Sequence, residues 1–176
     1  MSVATLERTA VEPAVDKPEQ AEKLVIFAWS GELDKIWPTL ILATTGAAMG
    51  KDTTIFFTFW GLFPLVKNEV RITGENWMQK MLSMMNRGGA DHLKLSKMNF
   101  GGAGKAMMMQ LAKRHQVASP QELLAIAKEM GVKLVPCQMT MDLLGLKRED
   151  LIDGLEDPAG ATTALADAQG AITLFI

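Results

Sequence analysis

Cys137 is the one cysteine in the chain, and it lies in the run Val135-Pro136-Cys137-Gln138-Met139-Thr140-Met141-Asp142. A short apolar run ends at the proline and a helix-compatible run begins after it, which predicts a strand-to-helix junction. Unsatisfied backbone N–H groups and the positive end of the helix dipole at such a junction favour the thiolate. Sulfur transfer, disulfide exchange and peroxide reduction all need that ionised form. The competing reading is an inert thiol, because free cysteine is among the most buried residue types. One cysteine also excludes an intrachain disulfide and supplies no resolving thiol, so peroxidase chemistry would depend on an external one.

Two further clusters follow predicted strands. They are Trp29-Ser30-Gly31 and Trp60-Gly61, and Thr140 in the cysteine run joins them as a candidate binding residue. Open parallel sheets bind ligands beyond the C-terminal ends of their strands, where strand order reverses. If the three strands are neighbours, both indoles and the thiol would face one crevice. The alternative is that the tryptophans only pack helices onto the sheet. Other motifs are weaker. Asn99 to Ala106 resembles a phosphate loop but fails the G-x-x-x-x-G-K-[ST] pattern at both ends. His92 and His115 are far apart and share no zinc spacing with Cys137, so no metal and no cofactor is expected. Eight methionines fall in residues 78–109. Such density serves as core filler or as an adaptable interaction surface.

The elements that must position these groups are legible as periodicity. Residues 23–29 form a continuous apolar run, as in a strand buried on both faces. Residues 32–49 read as a helix that starts or bends at Pro38, with Gly50 as its stop. Residues 53–59 are β-branched and aromatic and predict a second strand, with an apolar loop or short turn over 62–66. A short amphipathic helix is expected over 77–86 and another over 105–115. Ser119-Pro120-Gln121-Glu122 is a capping box with proline at the first helical position, opening a helix to Met130 with Gly131 after it. A third strand over 132–135, a short helix through Leu144, a polar turn at 147–153, a helix at 162–168 and a terminal strand at 171–176 complete the reading. Strands alternating with helices predict an α/β fold: an open, doubly wound, mostly parallel sheet of four or five strands with helices on both faces and a Met-rich helical insertion.

Composition narrows the function classes. With 176 residues, 48% of them apolar and 22% charged, the chain is sized and composed for one globular domain over residues 23–176. Residues 1–22 are acidic, lack apolar periodicity and read as a disordered leader, not as a signal peptide. Net charge is −2 with both signs interspersed, so no nucleic-acid partner is predicted. The apolar stretches at 36–49 and 55–66 fall short of the roughly 20 residues a spanning helix needs, so membrane association is not expected. An unpaired cysteine and the missing signal peptide point to the cytoplasm.

The opening Lys23-Leu-Val-Ile-Phe-Ala-Trp-Ser-Gly31, the Thr58-Phe-Trp-Gly-Leu62 after the second strand, and above all residues 131–146 resemble the DsrE/DsrF/DsrH-like superfamily. The nearest pattern is its longer branch, often labelled peroxiredoxin-like although it lacks peroxiredoxin chemistry. The likeness covers residues 23–176. It implies a parallel α/β sheet, a homo-oligomer such as a trimer or hexamer, and a cysteine that carries sulfane sulfur as a persulfide, here Cys137. It further implies TusA-like sulfur carriers or other sulfurtransferases as partners. Some members of that branch have a second cysteine in the middle region, and this chain has none, so a two-cysteine relay within one chain is not expected. Two functions stand against each other: a sulfur carrier or sulfurtransferase working through Cys137, and a non-catalytic binding or scaffold module that uses the Met-rich surface and keeps Cys137 in its core.

Overall fold

The computed structural model describes residues 22–70 and 88–176. The expected leader, save Glu22, and the expected helix over 77–86 lie outside the described residues.

Four strands, β1 (Lys23–Ala28), β2 (Asp52–Phe57), β3 (Lys133–Pro136) and β4 (Ile172–Phe175), form one sheet in the order β3-β2-β1-β4. Every pairing is parallel. The α/β architecture expected from the alternating periodicity is therefore present, with four strands flanked by helices. The chain moves outward from β1 to β2 to β3 and then crosses to the far edge for β4, so strand order reverses at β1.

Helix α1 (Leu33–Ala48) covers one face. Its Leu33, Ile36, Trp37, Leu40 and Ala43 recur at helical spacing and are all buried against Leu24, Ile26 and Ala28 of β1 and Ile55 and Phe57 of β2. The helix starts at Leu33 and continues through Pro38, so it does not start at the proline as one expectation had it. Packing of that apolar stripe on both sides of the proline offsets the lost backbone hydrogen bond. Gly50, at φ +78°, ends the helical segment as expected. The 3-10 segment Phe59–Leu65 stands where an apolar loop or short turn was expected, and Leu62, Phe63 and Leu65 are buried in the same core.

Helix α2 (Ala103–Arg114) buries none of its residues. Helix α3 (Pro120–Glu129) packs on α1 through Leu123, Leu124 and Ala127, and its Ser119–Glu122 capping box is complete. Helix α4 (Gln138–Leu144) follows β3 at once. Among the described residues, the second face of the sheet, carrying Val25, Phe27, Thr54, Phe56 and Val135, meets the 156–159 segment and the seven-residue α5 (Ala161–Asp167), in which Ala164 alone is buried. Among the described residues no helix is long and apolar enough to cross a membrane.

Candidate functional site

Cys137 is the residue between β3 and α4 and serves as the helix N-cap, with extended backbone angles of φ −77° and ψ 116°. Its N–H donates to the Phe57 carbonyl at 2.9 Å, so the β2–β3 ladder continues one residue past the strands and fixes the cysteine. Strand alternation turns the side chain toward the second face, where it packs with Phe56 and Ala164 and is only 4% exposed.

The hydroxyls of Thr140 and Thr58 and the backbone N–H groups of Thr140 and Met139 are the nearby donors that favour the ionised form of Cys137. Thr140 is itself held: its hydroxyl oxygen accepts from the Phe59 N–H at 3.0 Å and lies 3.2 Å from the Thr58 hydroxyl. Phe59 has a left-handed backbone at φ +47°, an uncommon conformation for an aromatic residue. Burial pushes the thiol pKa up, but the four donors together outweigh it and hold the thiol below its ordinary value. Donors of this kind favour the ionised form of a thiol. Thr58 is the member that sequence reading missed: it is 82 residues from Thr140, and only the adjacency of β2 and β3 could have pointed to it.

The indoles are elsewhere. Trp29, Ser30, Gly31 and Trp60 line a separate pocket of about 450 Å³ on the α1 side, together with Lys35, Phe63 and the 92–96 segment. Cys137 and Thr140 do not line it. Thus the structure joins Cys137 to Thr140, and joins Trp29, Ser30 and Gly31 to Trp60 and Gly61, without merging the two groups into one crevice. The two loops of the pocket interlock at glycines. A Cβ on Gly31 would lie 2.3 Å from the Trp60 carbonyl oxygen, and one on Gly61 would lie 2.0 Å from that of Ala28. The Gly61 N–H donates to the Trp29 carbonyl at 3.1 Å. In the pocket wall the Lys35 ammonium sits 5.3 Å from the Trp29 ring, and the buried Ser30 hydroxyl donates to Glu32. That hydrogen bond and then Lys35 lower the Glu32 pKa. Among the described residues no three His, Cys, Asp or Glu side chains gather closely enough to hold a metal ion.

Comparison with known proteins places this geometry in a family. A family model described as DsrE/DsrF/DrsH-like matches residues 20–175. The chain is 43% identical over 159 residues to the uncharacterized protein YrkE of Bacillus subtilis, an alignment covering 90% of this chain and 99% of that one. It is 37% identical over 160 residues to the sulfur carrier protein DsrE2 of Allochromatium vinosum, covering 89% of this chain and 99% of that one. The crystal structure of ychN from E. coli shares the fold with a TM-score of 0.54 at 15% identity, over 88% of this chain and 98% of that one. With a family match that runs from just before β1 to the end of β4, this chain belongs to the DsrE/DsrF/DrsH-like family.

Proposed function

We propose that this protein is a sulfur carrier that holds sulfane sulfur as a persulfide on Cys137. The observation that carries the reading is the placement of Cys137 as the N-cap of α4 beside the Thr58 and Thr140 hydroxyls, a setting that favours negative charge where an inert core thiol would need none. The kinship with a protein named as a sulfur carrier supports it. In the first step the Cys137 thiolate attacks the terminal sulfur of a donor persulfide, R–S–SH. A new S–S bond forms on Cys137, the donor's S–S bond breaks, and R–S⁻ leaves. In the second step an acceptor thiolate attacks the same terminal sulfur and Cys137 departs as the thiolate, so electrons balance with no external oxidant. Thr140 steadies that thiolate each time it is freed. Trp29, Ser30, Gly31, Trp60 and Gly61 shape a neighbouring pocket for side chains of the partner, which is a TusA-like sulfur carrier or another sulfurtransferase. The chain works in the cytoplasm as a homo-oligomer, a trimer or hexamer.

A second reading has its own observation. Helix α2 rests on the core only through the partly buried Met109 and Ala112 and exposes Met107, Met108 and Leu111, as a binding or scaffold module would. Mass spectrometry after incubation with polysulfide separates the two. The carrier gains a mass of about one sulfur atom, removable by reductant, and Cys137→Ser gains none. Wild-type protein that stays unmodified, and resists alkylation until denatured, leaves the scaffold reading standing.

A further inference from the structure

A sulfur carrier has to expose its sulfur to two partners, yet Cys137 is 4% exposed. The side chains that close over it fall into two kinds. Phe56 and Val135 belong to β2 and β3, and the sheet ladder pins them. Ala159 and Ala164 belong to the segment that leads into α5 and to α5 itself. Ala159 is bridged to Cys137 and stays with the sheet, its N–H donating to the Pro136 carbonyl and its carbonyl accepting from the Gln138 N–H, both at 3.0 Å, so only α5 is lightly held. Helix α5 has seven residues, too few to be stable without tertiary contacts, and Ala164 is its one buried side chain. Its C-terminal end is tied to the sheet by Asp167, whose carboxylate accepts from the Thr54 hydroxyl at 2.7 Å and from Lys23 Nζ at 3.3 Å. Between helix and sheet lies a cavity of about 500 Å³. Its walls include Val25, Thr54, Phe56, Val135, Ala159 and Ala164, four of which also pack on the cysteine cluster. A helix seated over a cavity has few contacts to lose when it lifts. Glycines stand at both of its ends: Gly160 is the N-cap and Gly170, at φ +71°, follows the last turn, and a Cβ on either would meet nothing within 4 Å.

We propose that α5 is the gate of Cys137: it lifts from the second face of the sheet between Gly160 and Gly170, releases the Asp167 latch, and turns the cavity beneath it into the channel to the sulfur. This inference rests on the reading of Cys137 as a reactive thiol and assigns the control of its access.

The test uses the full chain and its single thiol. Iodoacetamide alkylation is followed at fixed pH in wild type, Asp167→Ala and Thr54→Val, with amide hydrogen exchange over residues 161–167 measured in parallel. Loss of one net hydrogen bond from the closed state predicts alkylation about fivefold faster in Thr54→Val, and at least as much in Asp167→Ala, which also loses Lys23. Exchange of the α5 amides should accelerate by the same factor, while α1 amides and the pH midpoint of the alkylation rate stay as in wild type. Should either variant fold poorly, wild type in low urea decides the matter. Opening of α5 alone predicts an alkylation rate almost independent of urea below the global transition. A urea dependence equal to that of global unfolding, or latch variants that alkylate at the wild-type rate, overturns the gate. Persulfide uptake is scored separately. Uptake with no latch effect removes the gate and keeps the carrier, and a latch effect with no uptake does the reverse.

Discussion

At Cys137 two opposing influences act on one sulfur, and the hydroxyl of Thr140 is well placed to tip the balance because Phe59 N–H and Thr58 both orient it. Removing that hydroxyl leaves burial less opposed. Thr140→Val should therefore move the thiol pKa upward, Thr58→Val should do so by less, and Thr140→Ser should restore the wild-type value. The pH dependence of alkylation rates checks all three. The same residue has a linked effect on stability. Its pKa is lower in the folded chain than in the unfolded one, so ionisation favours the folded state. That contribution is fully present above the unfolded thiol value of about 8.5 and is lost as pH falls through the folded value. Denaturant unfolding of wild type against Cys137→Ala should show a gap that widens as pH rises across this window, and a flat difference would contradict the shift. The strand-to-helix junction at Pro136-Cys137 was legible in sequence because it depends on adjacent residues. The burial of the sulfur was not, since it depends on Ala164, which reaches the site only after β3 and the 155–160 segment are in place.

Among the elements, local signals and long-range ones separate cleanly. The α3 capping box was readable because Ser119 and Glu122 satisfy each other within one turn. Ser119→Ala should cost about 1 kcal/mol in urea denaturation. The interlock of the loops after β1 and β2 was not readable, because Gly31 and Gly61 look like ordinary strand ends until the parallel pairing of β1 with β2 brings the loops together. Each glycine there faces a carbonyl oxygen closer than any Cβ contact tolerates, so the backbone must shift to admit a methyl group. Gly31→Ala and Gly61→Ala should each lose about 2 kcal/mol or more by the same measurement. Gly160→Ala has open space by comparison and should cost far less. Pro38 shows the opposite failure: its local preference pointed to a helix start, and burial of the α1 stripe overrode it.

For the whole molecule, the two sides of the sheet are unequal. The α1 side carries the main core, while the second face and the β4 edge leave Trp29, Leu165, Ile172 and Phe175 exposed, Phe175 at 71%. Trp29 and Phe175 stack on each other at 6.2 Å, so these two exposed rings form one apolar patch. β4 pairs with β1 along one edge only. An exposed apolar sheet edge of this kind favours association. Light scattering at micromolar concentration should give a mass of three or six chains, and charged substitution of Phe175 should reduce it. A monomer would remove the oligomer from the proposal. The α/β class was evident from alternating periodicities, but the inequality of the two faces was not, because the β1 run is apolar on both sides and hides which one receives a helix.

Phe59 joins the two places that the fold keeps apart. Its N–H serves the hydroxyl that serves the sulfur, and the next residue in the chain is Trp60, stacked on Phe63 at 5.6 Å in the indole pocket. A change of charge on the sulfur redistributes the bonds at Thr140 and so tugs on the peptide that carries this indole. On the carrier reading, the protein thereby holds its own fluorophore one residue along the chain from the Phe59–Thr140 hydrogen bond: with the other tryptophans replaced by phenylalanine, the emission of Trp60 should change when Cys137 takes up sulfur, without a label.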